Sequence, residues 1–106
     1  NFVARLREII KNNLANSDFS IERLGEEIGL SRVQLYRKVK ALTGQTPVEL
    51  LRKARLVKAR RMVELTDKAV SEIAYEVGFT SPSYFNKCFK DEFGVSPGAL
   101  RDSSGV

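Results

Sequence analysis

Residues 73–97 read IAYEVGFTSPSYFNKCFKDEFGVSP, and residues 24–47 read LGEEIGLSRVQLYRKVKALTGQTP. The two stretches carry one pattern. In the earlier copy Leu24, Ile28, Gly29, Leu30 and Ser31 precede Leu35, Val39 and Lys40; in the later one Ile73, Val77, Gly78, Phe79 and Thr80 precede Phe85, Phe89 and Lys90. Gly44-Gln45-Thr46-Pro47 closes the first copy and Gly94-Val95-Ser96-Pro97 the second. The offset is 49 residues before the internal glycine turn and 50 after it, so the second turn carries one extra residue. A short helix, a glycine turn, a second helix and a glycine exit make a helix-turn-helix unit, and the chain holds two.

Local signals place the remaining helices around these units. Phe2, Leu6, Ile9, Ile10 and Leu14 recur at helical spacing, which predicts a first helix reaching about Asn16. Ser20 is placed to cap a short helix through about Ile28, with Phe19 and Leu24 as a hydrophobic staple. Ser31 and Gln34 form a capping box and Leu30 with Leu35 a second staple, so the next helix starts there and runs to about Leu42 before Gly44 releases the chain. Thr46-Pro47-Val48-Glu49 repeats the box with proline at the first helical position. The helix it launches runs to about Leu65 and is roughly 28 Å long. In the second unit Ala69 is a poor cap before a helix over 70–77, whereas Ser81-Pro82 opens one reaching about Phe93. Ser96-Pro97 starts a short last helix, with Asp102 to Val106 expected to fray. The reading is all-α with about seven helices. It divides into a first subdomain over 1–46, a connector helix over 47–66 and a second subdomain over 67–106.

A chain of 106 residues with 42% apolar side chains buries one small core or two very small ones. It has no apolar run long enough to span a bilayer and no signal-like segment, so a cytoplasmic location is expected. A start at Asn1 suggests a piece of something longer. Histidine is absent and Cys88 is alone, which removes the commonest general base, the commonest metal ligand and any internal disulfide. Cys88, beside Phe89, reads as a small, partly buried residue rather than a redox or alkyl-accepting thiol. The glycines are scattered singly at helix ends and form no phosphate-cradling loop. Glu26-Glu27 and Asp91-Glu92 read as solvated helix faces. No residue pattern requires a cofactor, a metal or a catalytic role.

The net charge is +5, unevenly spread. Residues 1–30 carry four basic and five acidic side chains, 31–61 ten and one, and 62–106 four and seven. A strongly basic block on one helix and its successor is the footprint of a polyanion binder. Non-specific affinity is accordingly expected to come mostly from residues 31–61.

Helical geometry then picks out a functional face. With Leu35, Val39 and Leu42 taken as core-facing, the opposite stripe is Val33, Tyr36, Arg37 and Lys40. With Phe85 and Phe89 marking the second core, the matching stripe is Ser83, Asn86, Lys87 and Lys90. Arginine donates bidentately to guanine, asparagine pairs with adenine, and an apolar side chain meets the thymine methyl, so Arg37, Asn86 and Val33 suit base reading in a major groove. Tyr36 suits a base or a phosphate, and the later lysines suit the backbone. Helix starts at Ser31 and Ser81 add N–H groups for phosphates. The expected phosphate-contacting set is Ser31, Arg32, Gln34, Lys40, Ser81 and Lys90, and the expected partner is double-stranded DNA.

IAYEVGFTSPSYFNKCFKDEFGVSP resembles the signature of the AraC/XylS family of bacterial transcription regulators. The resemblance extends through GLSRVQLYRKVKALTGQTP and the basic helix RKARLVKARRMVEL. It implies two homeodomain-like subdomains joined by a long helix, with both recognition helices in successive major grooves on one face of DNA. It also implies a regulator of transcription rather than an enzyme, with no cofactor and with RNA polymerase a plausible further partner. Carried over onto this sequence, the base-contacting positions fall on Val33, Tyr36 and Arg37 and on Pro82, Ser83, Asn86 and Lys87. Two positions depart from the pattern. Pro82 stands where the family often has a polar reader, which predicts thinner base reading by the second unit. Leu100 stands where an aromatic commonly precedes the arginine, here Arg101, which leaves the last helix less secured. Members usually fuse this module to sensor, dimerisation or receiver domains. A monomeric domain is therefore expected, with any dimerisation supplied by missing domains. QLYRKVKALTGQTP is similar to modules at the end of hybrid two-component regulators, often tied to carbohydrate use.

Two other classes stay open at this level. A helical protein-interaction module would use the basic connector on an acidic partner and tolerate substitution at Val33, Tyr36 and Arg37. A DNA-repair enzyme carrying such a domain would need Cys88 exposed as an acceptor.

Overall fold

Most helices in this protein begin where a hydroxyl satisfies an orphan backbone N–H of the first turn. Ser20 Oγ accepts from Arg23 N, Ser81 Oγ from Tyr84 N and Ser96 Oγ from Ala99 N. Ser31 and Gln34 form a complete capping box, as do Thr46 and Glu49. The computed structural model describes residues 1–104. Its helices are α1 (Phe2–Asn13), α2 (Ile21–Ile28), α3 (Arg32–Thr43), α4 (Pro47–Leu65), α5 (Val70–Glu76), α6 (Pro82–Phe93) and α7 (Pro97–Ser104). No strand occurs among the described residues. Ala69 offers no side-chain cap to α5.

The turn into α3 and the turn into α6 each depend on a left-handed glycine. Gly29 sits at φ 82° and Gly78 at φ 96°, a region that L side chains enter only with strain. Leu30 N then bonds back to Gly25 O, and Phe79 N to Ala74 O, so the two turns close at equivalent places in the repeat.

Burial produces two cores. Leu6, Ile10, Phe19, Leu24, Ile28, Leu35, Val39 and Leu51 form the first. Leu56, Ala59, Val63, Ile73, Ala74, Val77, Phe79, Phe85 and Phe89 form the second, which contains a chain of tilted and edge-on aromatic contacts from Phe79 through Phe93. Helix α4 supplies Leu51 to the first core and Leu56, Ala59 and Val63 to the second. It is therefore the last helix of one unit and the first of the next. Cys88 lies half-buried against the second core.

Three sequence expectations are corrected. Helix α1 stops at Asn13 rather than near Asn16. Asn13 turns its amide back onto Ile9 O, and the carbonyls of Leu14 and Asn16 accept hydrogen bonds from Arg55 instead of continuing the ladder. Leu42 is not a core residue; it is 54% exposed. Thr43, a full helical step of four past Val39, takes the half-buried place and donates to Val39 O. The last helix is well held, and Asp102 to Ser104 continue it rather than fray. Leu100 packs against the second core, and Arg101 donates to the carbonyls of Val63, Thr66 and Lys68, closing the end of α4. Gly105 and Val106, also expected to fray, lie outside the described residues.

Two outcomes test this account. Phe85→Ala removes a fully buried ring, and by urea denaturation it should cost about 3–5 kcal/mol. Because the cores are separate, amide exchange should accelerate more in α5–α7 than in α1–α3. The second outcome concerns the Thr46 N–H and hydroxyl, which hold the exposed Glu49 carboxyl below the usual carboxylate range. A depressed folded value gives stability that is present at neutral pH and lost on acidification. The stability gap between the wild-type chain and Glu49→Gln should be widest near neutral pH and close as pH falls below about 4.

Candidate nucleic-acid interface

Helix α3 is anchored by Leu35 and Val39, both fully buried, and α6 by Phe85 and Phe89 in the same register. That anchoring turns the opposite stripes outward. Val33 is 59% and Tyr36 49% exposed, and Arg37, Lys40, Ser83, Asn86, Lys87 and Lys90 are exposed as well. Val33, Tyr36, Arg37 and Lys40 stand 50 residues before Ser83, Asn86, Lys87 and Lys90, so both helices present equivalent positions. The side chains of Arg37, Asn86, Lys87 and Lys90 make no hydrogen bond or ion pair among the described residues. Ser81 and Pro82, at the start of α6, are only half exposed.

The candidate phosphate contacts are in a different state. Ser31 Oγ accepts from Gln34 N, and Gln34 Oε1 from Ser31 N, which leaves the Gln34 amide group free to donate. Ser81 Oγ is engaged as the cap of α6 and lies 3.5 Å from Ser83 Oγ. Arg32 pairs with Glu22 at 2.8 Å, and Lys40 donates to Gly44 O at 3.0 Å, closing its own helix. Both members of the Arg32–Glu22 pair are more than half exposed. Such a pair contributes about 0–1 kcal/mol and gives way readily to a phosphate.

The basic block of residues 31–61 does not form one surface. Arg55 points inward onto the end of α1, and Lys38 covers the ring of Phe2 at 4.4 Å. Arg60 lies over Phe93 and beside Glu64. Lys53, Lys58 and Arg61 gather with Arg7 and Lys11 along the α1–α4 face. At 3.6 residues per turn, Arg61 is about 180° around α4 from Arg52. The expectation that this block acts as a single polyanion footprint is thereby narrowed to Arg32, Arg37, Lys40 and Arg52.

Arg52 is one of three residues that the sequence reading did not single out. It lines the cleft between the units with Thr80 and Tyr84, and a neighbouring hollow with Tyr84 and Lys87. Val48 shares that cleft and a further hollow with Arg32 and Tyr36. Tyr84 is 50% exposed, with its ring centroid 6.1 Å from that of Phe79. Val48, Arg52 and Tyr84 thus connect the exposed stripe of α3 with that of α6. The i, i+4 spacing of Val48 and Arg52 was a usable signal, masked by the general basicity of the helix.

Paired helix-turn-helix units with unpartnered polar and cationic side chains on their second helices define a nucleic-acid-binding module. Sequence comparison supplies the family. The model of a helix-turn-helix domain family matches residues 24–103, and the chain belongs to this family in its AraC-type form, a family of DNA-binding domains of transcription regulators rather than of enzymes. The chain is 40% identical over 90 residues to histidine kinase P4 of Formosa agariphila, covering 85% of this chain and 7% of that protein. It is 37% identical over 92 residues to the HTH-type transcriptional activator RhaS of Mannheimia succiniciproducens, covering 87% of this chain and 34% of the activator. The chain therefore spans about a third of the activator and a far smaller part of the kinase. Among solved structures it is similar to the DNA-binding domain of the global transcriptional factor AdpA in complex with a target DNA, with a TM-score of 0.88 and 31% identity over 94% of this chain and 89% of that one. No helix among the described residues is long and apolar enough to cross a membrane.

Proposed function

We propose that this domain reads double-stranded DNA in a sequence-specific manner by placing α3 and α6 in two successive major grooves. The observation that carries the reading is the matched pair of exposed stripes, repeated at an offset of 50 residues, in which Arg37, Asn86, Lys87 and Lys90 have no side-chain partner among the described residues. The molecule is 46 Å long and about 24 Å across. That length accommodates two recognition helices one DNA turn apart, roughly 34 Å. In this assignment Val33, Tyr36 and Arg37 read bases in one groove, and Pro82, Ser83, Asn86 and Lys87 in the next. Pro82 has no donor and makes only apolar contact, so the second groove is read mainly by Asn86 and Lys87. Ser31, Arg32, Gln34, Lys40, Ser81 and Lys90 hold phosphates, joined by Arg52 and Tyr84 between the grooves. The chain acts in the cytoplasm as the output module of a larger sensor or two-component regulator, a reading supported by its likeness to part of a histidine kinase. Contact with RNA polymerase and dimerisation are assigned to the full-length protein.

Selection of bound fragments from genomic DNA, followed by salt titration on the best site and its single-base variants, tests this reading. An asymmetric motif with two half-elements about one helical turn apart is expected. Arg37→Ala should weaken binding by about 1–3 kcal/mol and relax preference at one base pair, whereas Lys40→Ala should weaken all sequences alike and lower the salt slope by about 1. Equal loss of specificity from both changes rules out this division of labour, and salt-steep binding indifferent to sequence rules out base reading.

A further inference from the structure

Among the described residues the two cores share no buried side chain, and α4 is the helix that contributes to both. The boundary between them falls inside α4, after Leu51 and before Leu56. Arg55 occupies that boundary. Its Nε donates to Leu14 O at 3.0 Å and its Nη2 to Asn16 O at 2.9 Å, tying α4 to the end of α1. Burial pushes the guanidinium below its usual range, yet an arginine remains charged, and charge-assisted bonds to two carbonyls suit it. Leu14 is buried but belongs to neither core.

The third party at this point comes from the second unit. Gly78, in the turn before α6, is buried at φ 96° directly against the pair. A Cβ at Gly78 would overlap the Leu14 carbonyl oxygen and stand 2.8 Å from Arg55 Nε. The end of α1, the middle of α4 and the turn that aims α6 therefore meet at one guanidinium. The second unit repeats the clasp at its own first helix. Arg101 Nε donates to Val63 O, and Val63 stands 49 residues after Leu14. Arg101 thus closes the first helix of its own unit, whereas Arg55 closes the first helix of one unit while touching the turn of the other.

We infer that Arg55 is a positioning residue that sets the distance and rotation between the two recognition helices, and hence the half-element spacing the domain accepts; this rests on the two-groove reading. Each base pair added between half-elements displaces them by about 3.4 Å and rotates them by about 34°. A rigid joint rejects that change and a loose one absorbs it. Arg55→Lys keeps the charge but not the fork that bridges two carbonyls, and Arg55→Met keeps only the stem.

The test measures binding to the selected site with its spacer natural, shortened or lengthened by one base pair. In the same samples without DNA, residual dipolar couplings are compared for α1–α3 and α5–α7. The wild-type chain should lose at least about tenfold in affinity on either spacing change, as for one mismatched pair, and one alignment tensor should fit both halves. Both Arg55 variants should lose less than about threefold on the same changes and require two tensors. Arg101→Lys is the control: it should lower the Tm while keeping one tensor and the sharp spacing preference. Arg55 variants that retain a single tensor, or that lose it without broadening the spacing profile, overturn the inference. A wild-type chain indifferent to spacing refutes two-groove docking and the spacing role with it; the tensors separate that failure from a failure of the joint.

Discussion

Leu51 packs into the first core and Leu56, little more than one helical turn later, into the second. That handover on α4 is the constraint on which the architecture rests. A chain of this size has little apolar surface to bury, and α3 and α6 each keep one face exposed. The molecule resolves this by building two small cores and making one helix a member of both. Its long, narrow shape follows directly. So does its chief mechanical weakness, since two cores without shared side chains need another device to hold them in register.

Chemistry on the exposed faces divides by whether a side chain already has a partner. Several cations already have intramolecular contacts: Arg55 on the end of α1, Arg101 on the end of α4, and, nearer the surface, Lys38 over Phe2 and Arg60 over Phe93. Arg37, Asn86 and Lys87 have no side-chain partner among the described residues. An exposed donor with no internal partner keeps its full hydrogen-bonding capacity for a ligand, which is the condition for reading base edges. Arg32 and Lys40 fall between, held by weak surface contacts that a phosphate can replace.

Much of the fold was legible in the sequence because its determinants are local. The capping boxes at Ser31–Gln34 and Thr46–Glu49 involve residues three apart, and they formed as read. Gly29, Gly44, Gly78 and Gly94 mark left-handed positions that need no tertiary information to recognise. The inward anchors Leu35, Val39, Phe85 and Phe89 follow from helical period alone, and with them the outward stripes of α3 and α6. Family resemblance reached the same fold and function by a separate route, and the comparisons agree with it.

What the sequence by itself determined, then, is the set of helices, the faces they bury and the type of polymer the exposed faces suit, all consequences of spacings within one or two turns. Only the tertiary structure decided where each cation of the basic block points, that Leu42 faces solvent while Thr43 turns in, and that α7 is secured through Arg101. It alone brought Arg55, Leu14 and Gly78 together, residues separated by up to 64 positions. The physical reason is that a guanidinium reaching a distant helix end leaves no periodic trace. Its partners are backbone carbonyls, which every residue carries, so nothing in the side-chain pattern announces which carbonyls it will find.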